Sequence, residues 1–425
     1  MVEIRKPMKI NEALSKIGKF GGMGNKKYIP IQKCDGFILA EDIIADHHLP
    51  PFDRSPYDGF AVRAQDTLHA STNTPKVLRV IGEIGAGTVF SKRIGASEAV
   101  RIMTGAKIPD GCDAVIMLEA VKESTLESQS YVHIRRPVKP NTNISFTGED
   151  TEKGSVLAQK GQYIHPGIVA LLATFGYEDV PINARPKVGV IATGSELLEV
   201  SESLEPGKIR NSNGYMVSSQ IKRAGGKAIY FGKFNDDFTT CLEMVESSLK
   251  SVDILITTGG VSVGDYDYMP AVFAKIDANV LFNKVAMRPG SVTTVAEKNG
   301  KLIFALSGNP SACYVGFELF ARPIIRTYLG IPLPYLKKTY ATLGADFLKR
   351  NPFDRFVRSK LVIKNGQVIV IPTGLDKSSV ISSLAETNAF IVFPGGTSGF
   401  KKGMRVQIIL LEDQEGISFE EFTLE

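Results

Sequence analysis

At 425 residues the chain is too long for one core of ordinary size, and roughly two to four domains are expected. Hydrophobic residues make up 43% and charged residues 22%, an ordinary globular balance, and the net charge of +5 suits a small anionic ligand better than a nucleic-acid surface. The four cysteines (Cys34, Cys112, Cys241, Cys313) lack C-x-x-C spacing, which argues against a zinc ribbon or disulfide framework; with no signal-type or bilayer-length apolar run, the expected address is the cytoplasm, away from membranes.

In chain order, residues 10–17 and 37–44 read as short helices. From about 46 to 144 the chain is β-rich, punctuated by Gly82, Gly85, Gly87 and Gly95. That region opens with Leu49-Pro-Pro-Phe-Asp-Arg-Ser-Pro-Tyr-Asp-Gly-Phe-Ala-Val62, where three prolines, Asp53 and Asp58-Gly59 enforce a stiff, irregular loop. Such loops often carry function, although Asp58 in an Asx turn would serve structure alone. Arg101-Ile-Met-Thr-Gly-Ala106 and Gly148-Glu-Asp150 have the same two readings. A turn-rich piece then leads to a helix over 167–175. The five histidines, including the adjacent His47-His48, suggest no catalytic grouping.

The clearest architecture lies between 185 and 330. Lys187-Val-Gly-Val-Ile-Ala-Thr193 reads as a strand, after which Ser195 is placed to cap a helix. A further helix opens at Asn213 and stops at Gly225-Gly226; a strand follows over 227–231, then a helix starting in Asn235-Asp-Asp237 and running to Leu249. Next come a strand over 252–257, a glycine loop, a helix over 268–276, and the strand Lys301-Leu-Ile-Phe-Ala-Leu306, which ends in Ser307-Gly-Asn-Pro310. Asn309 suits an N-cap and Pro310 a first helical position. Strands and helices alternating at these lengths predict a doubly wound, mostly parallel sheet, with ligands at the carboxyl ends of the strands. Three loops (193–196, 258–267 and 307–310) fall at such ends and are expected to converge. Beyond 331, period-2 segments and an Asn365-Gly366 hairpin signal between 359–363 and 367–371 predict a small β-barrel or sandwich.

The most informative stretch is Asp253-Ile-Leu-Ile-Thr-Thr-Gly-Gly-Val-Ser-Val-Gly-Asp-Tyr-Asp-Tyr268. Its glycines, Gly259, Gly260 and Gly264, let backbone N–H groups close around an anion. It is neither a Walker A motif nor a G-x-G-x-x-G loop, so alone it is either a plain turn or an anion cradle. Carboxylates beside it suggest an intervening cation and a phosphate-bearing ligand. Glu196, after Thr193-Gly194-Ser195, is either a helix-dipole partner or an oxygen ligand to a hard ion such as Mg2+. Asp236 has the same alternatives, with capping as its structural role.

Taken together, Pro51-Phe-Asp-Arg-Ser-Pro-Tyr-Asp-Gly-Phe-Ala-Val62, Arg101–Ala106, Gly148-Glu-Asp150, Thr193-Gly-Ser-Glu196, Thr258-Gly-Gly-Val-Ser-Val-Gly264 and Gly308-Asn-Pro310 occur in an order that closely resembles the molybdopterin molybdenumtransferase family, MoeA in bacteria and the E domain of gephyrin in animals. The resemblance covers nearly the whole chain. It implies the last step of molybdenum cofactor synthesis: adenylylated molybdopterin is bound, molybdate is inserted at the dithiolene and AMP is released, with Mg2+ present. It also implies a homodimer with shared active sites, and contact with a molybdopterin adenylyltransferase. By the same resemblance the domains are 1–45 with 145–184, 46–144, 185–330 and 331–425. Thr104, Thr193, Gly194, Ser195, Gly259, Gly260, Ser262, Gly264, Gly308, Asn309 and Pro310 would contact substrate. Glu196, Asp236 and Asp267 would organise the metal. Asp58, Asp150 and Asp267 would be catalytic acids, the first two reaching the partner's site. Lys284 and Arg288 would suit oxyanions, and Arg358 and Ser378 would contact molybdate.

The chain departs from the family at Ser291, where a lysine is usual, at Ser307, where proline is usual, and over Ser145-Phe-Thr147, where arginines are usual; Arg288 replaces a lysine. Two other functions compete. The 185–330 segment resembles a domain of CinA-like nucleotide pyrophosphatases, and gephyrin also serves as a scaffold. The Asp58 and Arg101–Ala106 motifs favour the transferase.

Overall fold

A computed structural model describes residues 6–260, 268–411 and 416–423 of the chain. These form two compact units, Met1–Glu41 with Lys160–His165 and Asp179–Glu425, and Asp42–Gln159 with Pro166–Glu178. Among the described residues, no helix is long and apolar enough to cross a membrane.

In the larger unit, six strands lie in the order Lys227–Phe234, Lys187–Thr193, Ile254–Thr258, Lys301–Leu306, Thr294–Lys298, Asn279–Phe282. The first four run parallel and the last two antiparallel, giving the expected mostly parallel sheet. Alternation explains its position. Val188, Val190, Ile254, Ile256, Phe304 and Leu306 point into one core with the helices Asn213–Arg223 and Arg322–Tyr328. Ile191, Leu255, Ile303 and Ala305 point into another with Phe238–Leu249 and Met269–Lys275. Strands buried on both faces are what crossover helices produce. The 213–223 helix stops as its sequence implies: Gly225 adopts φ 97° and the Gly226 N–H donates to the Ile221 carbonyl (2.9 Å).

Past residue 331, five strands close into a barrel, because Asp354–Lys364 pairs with both Gln367–Pro372 and Ala389–Phe393, with Lys338–Leu343 and Arg405–Leu410 completing the ring. Leu343, Val357, Val370, Ile391, Phe393 and Ile408 fill it. Asn365 and Gly366 both have positive φ (51° and 74°), the geometry of the hairpin turn their sequence announces. Met287–Arg288 adds a short parallel strand to the barrel, Arg288 lying opposite Arg355.

The smaller unit is a curled six-stranded mixed sheet, ordered Ala114–Met117, Gly59–Val62, Glu98–Ile102, Lys76–Ile84, Gln129–Ile134, Val121–Leu126. Phe60 and Val62 face one core and Ala61 the other. The helix Pro166–Thr174 belongs to this unit.

Two local expectations are overturned. Residues 37–44 are not helical. The Leu39 N–H donates to the Gln162 carbonyl and that of Ala40 to the Pro181 carbonyl, so neighbouring segments satisfy this backbone. Nor does Ser195 cap a helix. Residues 194–212 form a flap whose two-residue strands, Leu197–Leu198 and Ile209–Arg210, pair in parallel; the helix begins only at Asn213.

Candidate functional site

The carboxyl ends of three adjacent parallel strands, at Thr193, Thr258 and Leu306, open into one cavity of about 670 Å3. Its wall includes Glu196 from the first loop, Gly259 and Gly260 from the second, and Ser307, Gly308, Asn309 and Pro310 from the third. The expected convergence of these loops is therefore present. Gly259 and Gly260 both occupy the left-handed region, φ 97° and 65°, which tightens the chain as it leaves the strand. The Gly259 N–H donates to the Leu306 carbonyl (3.1 Å) and the Thr193 hydroxyl to the Thr258 carbonyl (3.4 Å), which locks the strand ends together. Asn213, at the start of its helix, donates from Nδ2 to the Gly308 carbonyl (2.8 Å) and ties the third loop to the flap.

The flap is held from below by a polar chain. Asn211 Nδ2 donates to the Tyr230 hydroxyl (2.6 Å), which donates to Glu199 (2.7 Å); Tyr215 donates to the other oxygen of Glu199 (2.9 Å). Burial first, and then the hydrogen bond to Glu199, push the Tyr230 phenol well above its ordinary pKa, so it stays protonated as a donor. Lys233 adds a bond from its ammonium to the Leu197 carbonyl (3.0 Å).

Asp236 and Asp237 separate cleanly. Asp237 caps the Phe238–Leu249 helix, its carboxylate accepting from the Thr240 N–H (2.9 Å), and that bond lowers its pKa. Asp236 lines the cavity with Glu196. The capping role that competed for Asp236 thus belongs to its neighbour. Among the described residues, no group of three or more histidine, cysteine or acidic side chains is arranged to hold a metal. Two oxygen-donor carboxylates on one cavity wall are nevertheless the donor set a hard cation takes when phosphate and water complete its shell.

The barrel reaches this cavity through Ser378 and Ser379. The Ser311 N–H donates to the Ser378 carbonyl (3.0 Å) and the Ser311 hydroxyl to that of Val380 (2.6 Å), joining the barrel loop to the Pro310–Gly316 helix. Arg358 lies behind this loop, 1% exposed, donating to the Ser383 hydroxyl (2.7 Å) and to the carbonyls of Leu375 (3.0 Å) and Lys377 (3.2 Å). Desolvation draws its pKa down. Lys284, Arg288 and Arg358 do not line the cavity; Gly194 and Ser195 lie between lining residues Thr193 and Glu196. Ser262, Gly264 and Asp267 fall outside the described residues.

In the smaller unit three sequence motifs meet. The Ser55 N–H donates to the Ala106 carbonyl (3.0 Å), and the Asp150 N–H to the Leu49 carbonyl (3.0 Å). Thr147 donates from its N–H and hydroxyl to one oxygen of Asp53, both at 2.8 Å, so this departure from the family's arginines anchors the proline loop. Asp58 accepts from the Thr104 N–H (2.7 Å) and hydroxyl (2.8 Å), which holds its carboxyl below the ordinary range. Asp58, Thr104 and Asp150 are exposed.

Three family models match in chain order: the MoeA N-terminal region (domain I and II) over residues 8–176, a probable molybdopterin binding domain over 189–327, and the MoeA C-terminal region (domain IV) over 340–411. A molybdopterin molybdenumtransferase of Bacillus subtilis is 52% identical over 416 residues, covering 98% of this chain and 97% of the relative. The chain belongs to the molybdopterin molybdenumtransferase (MoeA) family. Another member, from Staphylococcus aureus, is 47% identical over 97% of both chains. The MoeA fold is shared with a molybdopterin biosynthesis protein from Pyrococcus horikoshii, at TM-score 0.85 and 30% identity over 96% of this chain and 100% of that one.

Within this MoeA chain, sequence reasoning missed Arg210, Asn211, Ser212, Gly290 and Ser379 as cavity residues, while Ser291, noted as a departure from the family, does line the cavity. The polar run Asn211-Ser-Asn213 before a helix was a usable signal, since such residues hydrogen-bond loop backbone. Ser379 carried none, because its place depends on distant pairing.

Proposed function

We propose that the chain inserts molybdate into adenylylated molybdopterin and releases AMP, in the final stage of molybdenum cofactor biosynthesis. The observation that carries this reading is the cavity where three strand-end loops converge around Glu196 and Asp236. The relatives are named for this transferase activity. The glycine loops offer backbone N–H groups to the anionic ligand, and the adjoining carboxylates suit a divalent cation. Glu196 and Asp236, with Asp267 as a further candidate, would hold Mg2+, which would screen the adenylyl phosphates as they approach these acids. Thr193, Gly259, Gly260, Gly308 and Asn309 would seat the pterin or phosphate, with Ser378 near the incoming oxyanion. Attack of water on the phosphoanhydride would free AMP, and the two dithiolene thiols would bond the metal while their protons carry off one molybdate oxygen as water.

We infer further that the enzyme works as a homodimer in which Asp58 and Asp150 serve the partner's site. The Thr104 hydrogen bonds keep Asp58 ionised, as a group that orients water or positive charge must be. Mixed dimers of Asp58→Ala with Asp236→Ala chains regain activity if sites are shared; proven mixed dimers without recovery reject sharing.

The direct test is incubation with adenylylated molybdopterin, Mg2+ and molybdate, following AMP release and transfer of active cofactor to an apo-molybdoenzyme. AMP release indifferent to molybdate, with no cofactor formed, would instead indicate a pyrophosphatase.

A further inference from the structure

The flap of residues 194–212 brings two opposite charges to the main cavity. Glu196 stands just before its first short strand and Arg210 ends its second, and both line the cavity. Backbone bonds fix the chain on either side of Arg210. The Ile209 N–H donates to the Glu196 carbonyl (2.9 Å), and the Asn211 N–H to the Leu198 carbonyl (2.8 Å). Asn211 is only 1% exposed; besides its bond to Tyr230, its Oδ1 accepts from the Gly214 N–H (3.0 Å). Lys208 donates to the Ser195 carbonyl (2.5 Å), a further tie between the two arms of the flap.

The guanidinium of Arg210 is scarcely used by the fold. It is exposed and makes one long hydrogen bond, to the Glu202 carbonyl (3.3 Å); among the described residues no carboxylate pairs with it. The acids of the flap nearest in sequence are already engaged. Glu202 pairs with Lys233 (3.1 Å), and Glu199 accepts from Tyr215 and Tyr230. An exposed arginine is ordinarily a solvated side chain. Arg210 differs in standing on a fixed backbone as the one cationic side chain among the described residues that line the cavity. Its forked donors match two oxygens of a phosphate at once, which carboxylates and backbone N–H groups cannot do with full charge.

We propose that Arg210 is the phosphate-selecting side chain of this cavity, holding the non-bridging oxygens of the adenylyl phosphate while Glu196, on the same flap, serves the cation. The inference rests on the reading of the cavity as an adenylyl-phosphate site, and adds the residue that distinguishes the phosphate from the nucleoside.

Calorimetric titration of the full chain with AMP and with adenosine, at saturating Mg2+ and fixed ionic strength, tests it. Arg210→Met weakens AMP binding by about tenfold or more. Adenosine, which lacks the phosphate, is bound equally by variant and wild type. Arg210→Lys keeps the charge without the fork and recovers part of the AMP affinity. Lys364→Met removes a charge from the exposed barrel hairpin and leaves both titrations unchanged. Hydrogen exchange at the Ile209 and Asn211 amides stays at the wild-type rate in Arg210→Met, because the bonds that fix the flap are intact. The inference is overturned if Arg210→Met binds AMP like wild type, if adenosine weakens as much as AMP, if the flap amides lose protection along with AMP affinity, or if Lys364→Met weakens AMP equally. Wild type that binds no AMP yet forms active cofactor from adenylylated molybdopterin overturns the inference and leaves the transferase reading intact. AMP held through Arg210 with no cofactor formed supports the inference and removes the transferase reading.

Discussion

Replacing Gly259 by alanine separates the backbone's role in this cavity from that of any side chain. The residue sits at φ 97°, and an added Cβ would lie 2.4 Å from the Thr193 carbonyl oxygen and 3.0 Å from its hydroxyl. The left-handed conformation costs an L residue about 1–2 kcal/mol. The clash is with backbone, so no rotamer relieves it; parting two strand ends in a tightly packed sheet adds a further ~1–3 kcal/mol. Gly259→Ala is therefore expected to destabilise the chain by about 2–5 kcal/mol, with the Gly259 to Leu306 hydrogen bond stretched or lost. Gly308→Ala is the control. Its Cβ meets Gly259 Cα at 3.7 Å, an ordinary contact, and Gly308 lacks positive φ. Its stability should stay within about 0.5 kcal/mol of wild type, while a methyl group in the cavity weakens ligand binding. Urea denaturation followed by circular dichroism reads the first quantity and calorimetry the second. A Gly259→Ala chain unfolding at the wild-type midpoint would refute the reasoning.

Tyr230→Phe removes the hydroxyl linking Asn211 to Glu199, and should cost about 1–2 kcal/mol and raise KM for the pterin several-fold with kcat little changed, read by steady-state kinetics. Thr104→Val deletes one of two bonds to Asp58 but keeps the larger effect, that of the N–H, so the Asp58 pKa rises only part of the way to its ordinary value. Because the native pKa is depressed, its stabilisation is present above the unfolded value of ~3.9 and fades as pH falls through the native one; the variant should lose it at higher pH, as NMR titration of the carboxyl carbon would detect. Arg358→Met frees the carbonyls of Leu375 and Lys377, so hydrogen exchange over 374–381 should accelerate at least tenfold while the barrel core stays protected.

Much of the α/β domain was legible because its signals are local. The strands 187–193 and 301–306 begin and end where their apolar runs do, and the Asn365-Gly366 turn needs only two residues to be read. The cavity loops followed from the general position of ligands in such sheets. Residues 37–44 failed because their hydrogen-bond partners, Gln162 and Pro181, lie far away in sequence, and no period within the segment reports them. The flap failed for a related reason. Its apolar residues are few, and its form depends on Lys233 and Tyr230 of a neighbouring strand reaching Leu197 and Glu199. Barrel closure, through strand 354–364 pairing with 389–393, is likewise long-range. The Asp236–Asp237 assignment was open because adjacent carboxylates before a helix are equivalent until the backbone turns.

The charge balance of the main cavity makes a demand of its own. Among the described residues its lining holds one cation, Arg210, against Glu196 and Asp236. Such a wall repels a phosphate unless positive charge is added, and backbone N–H groups supply only partial charges. AMP binding should therefore depend on a divalent cation, and the two acids should act with opposite sign in its absence and presence. With EDTA, Glu196→Gln/Asp236→Asn should bind AMP several-fold more tightly than wild type, because two repulsive charges are gone. With saturating Mg2+ the order should invert, the variant binding about tenfold more weakly because the cation has lost its protein oxygens. A purely structural role for these acids would shift both titrations the same way. Calorimetry under both conditions decides, and parallel rather than crossing effects would remove Glu196 and Asp236 as metal-organising residues while leaving the cavity as the proposed pterin site.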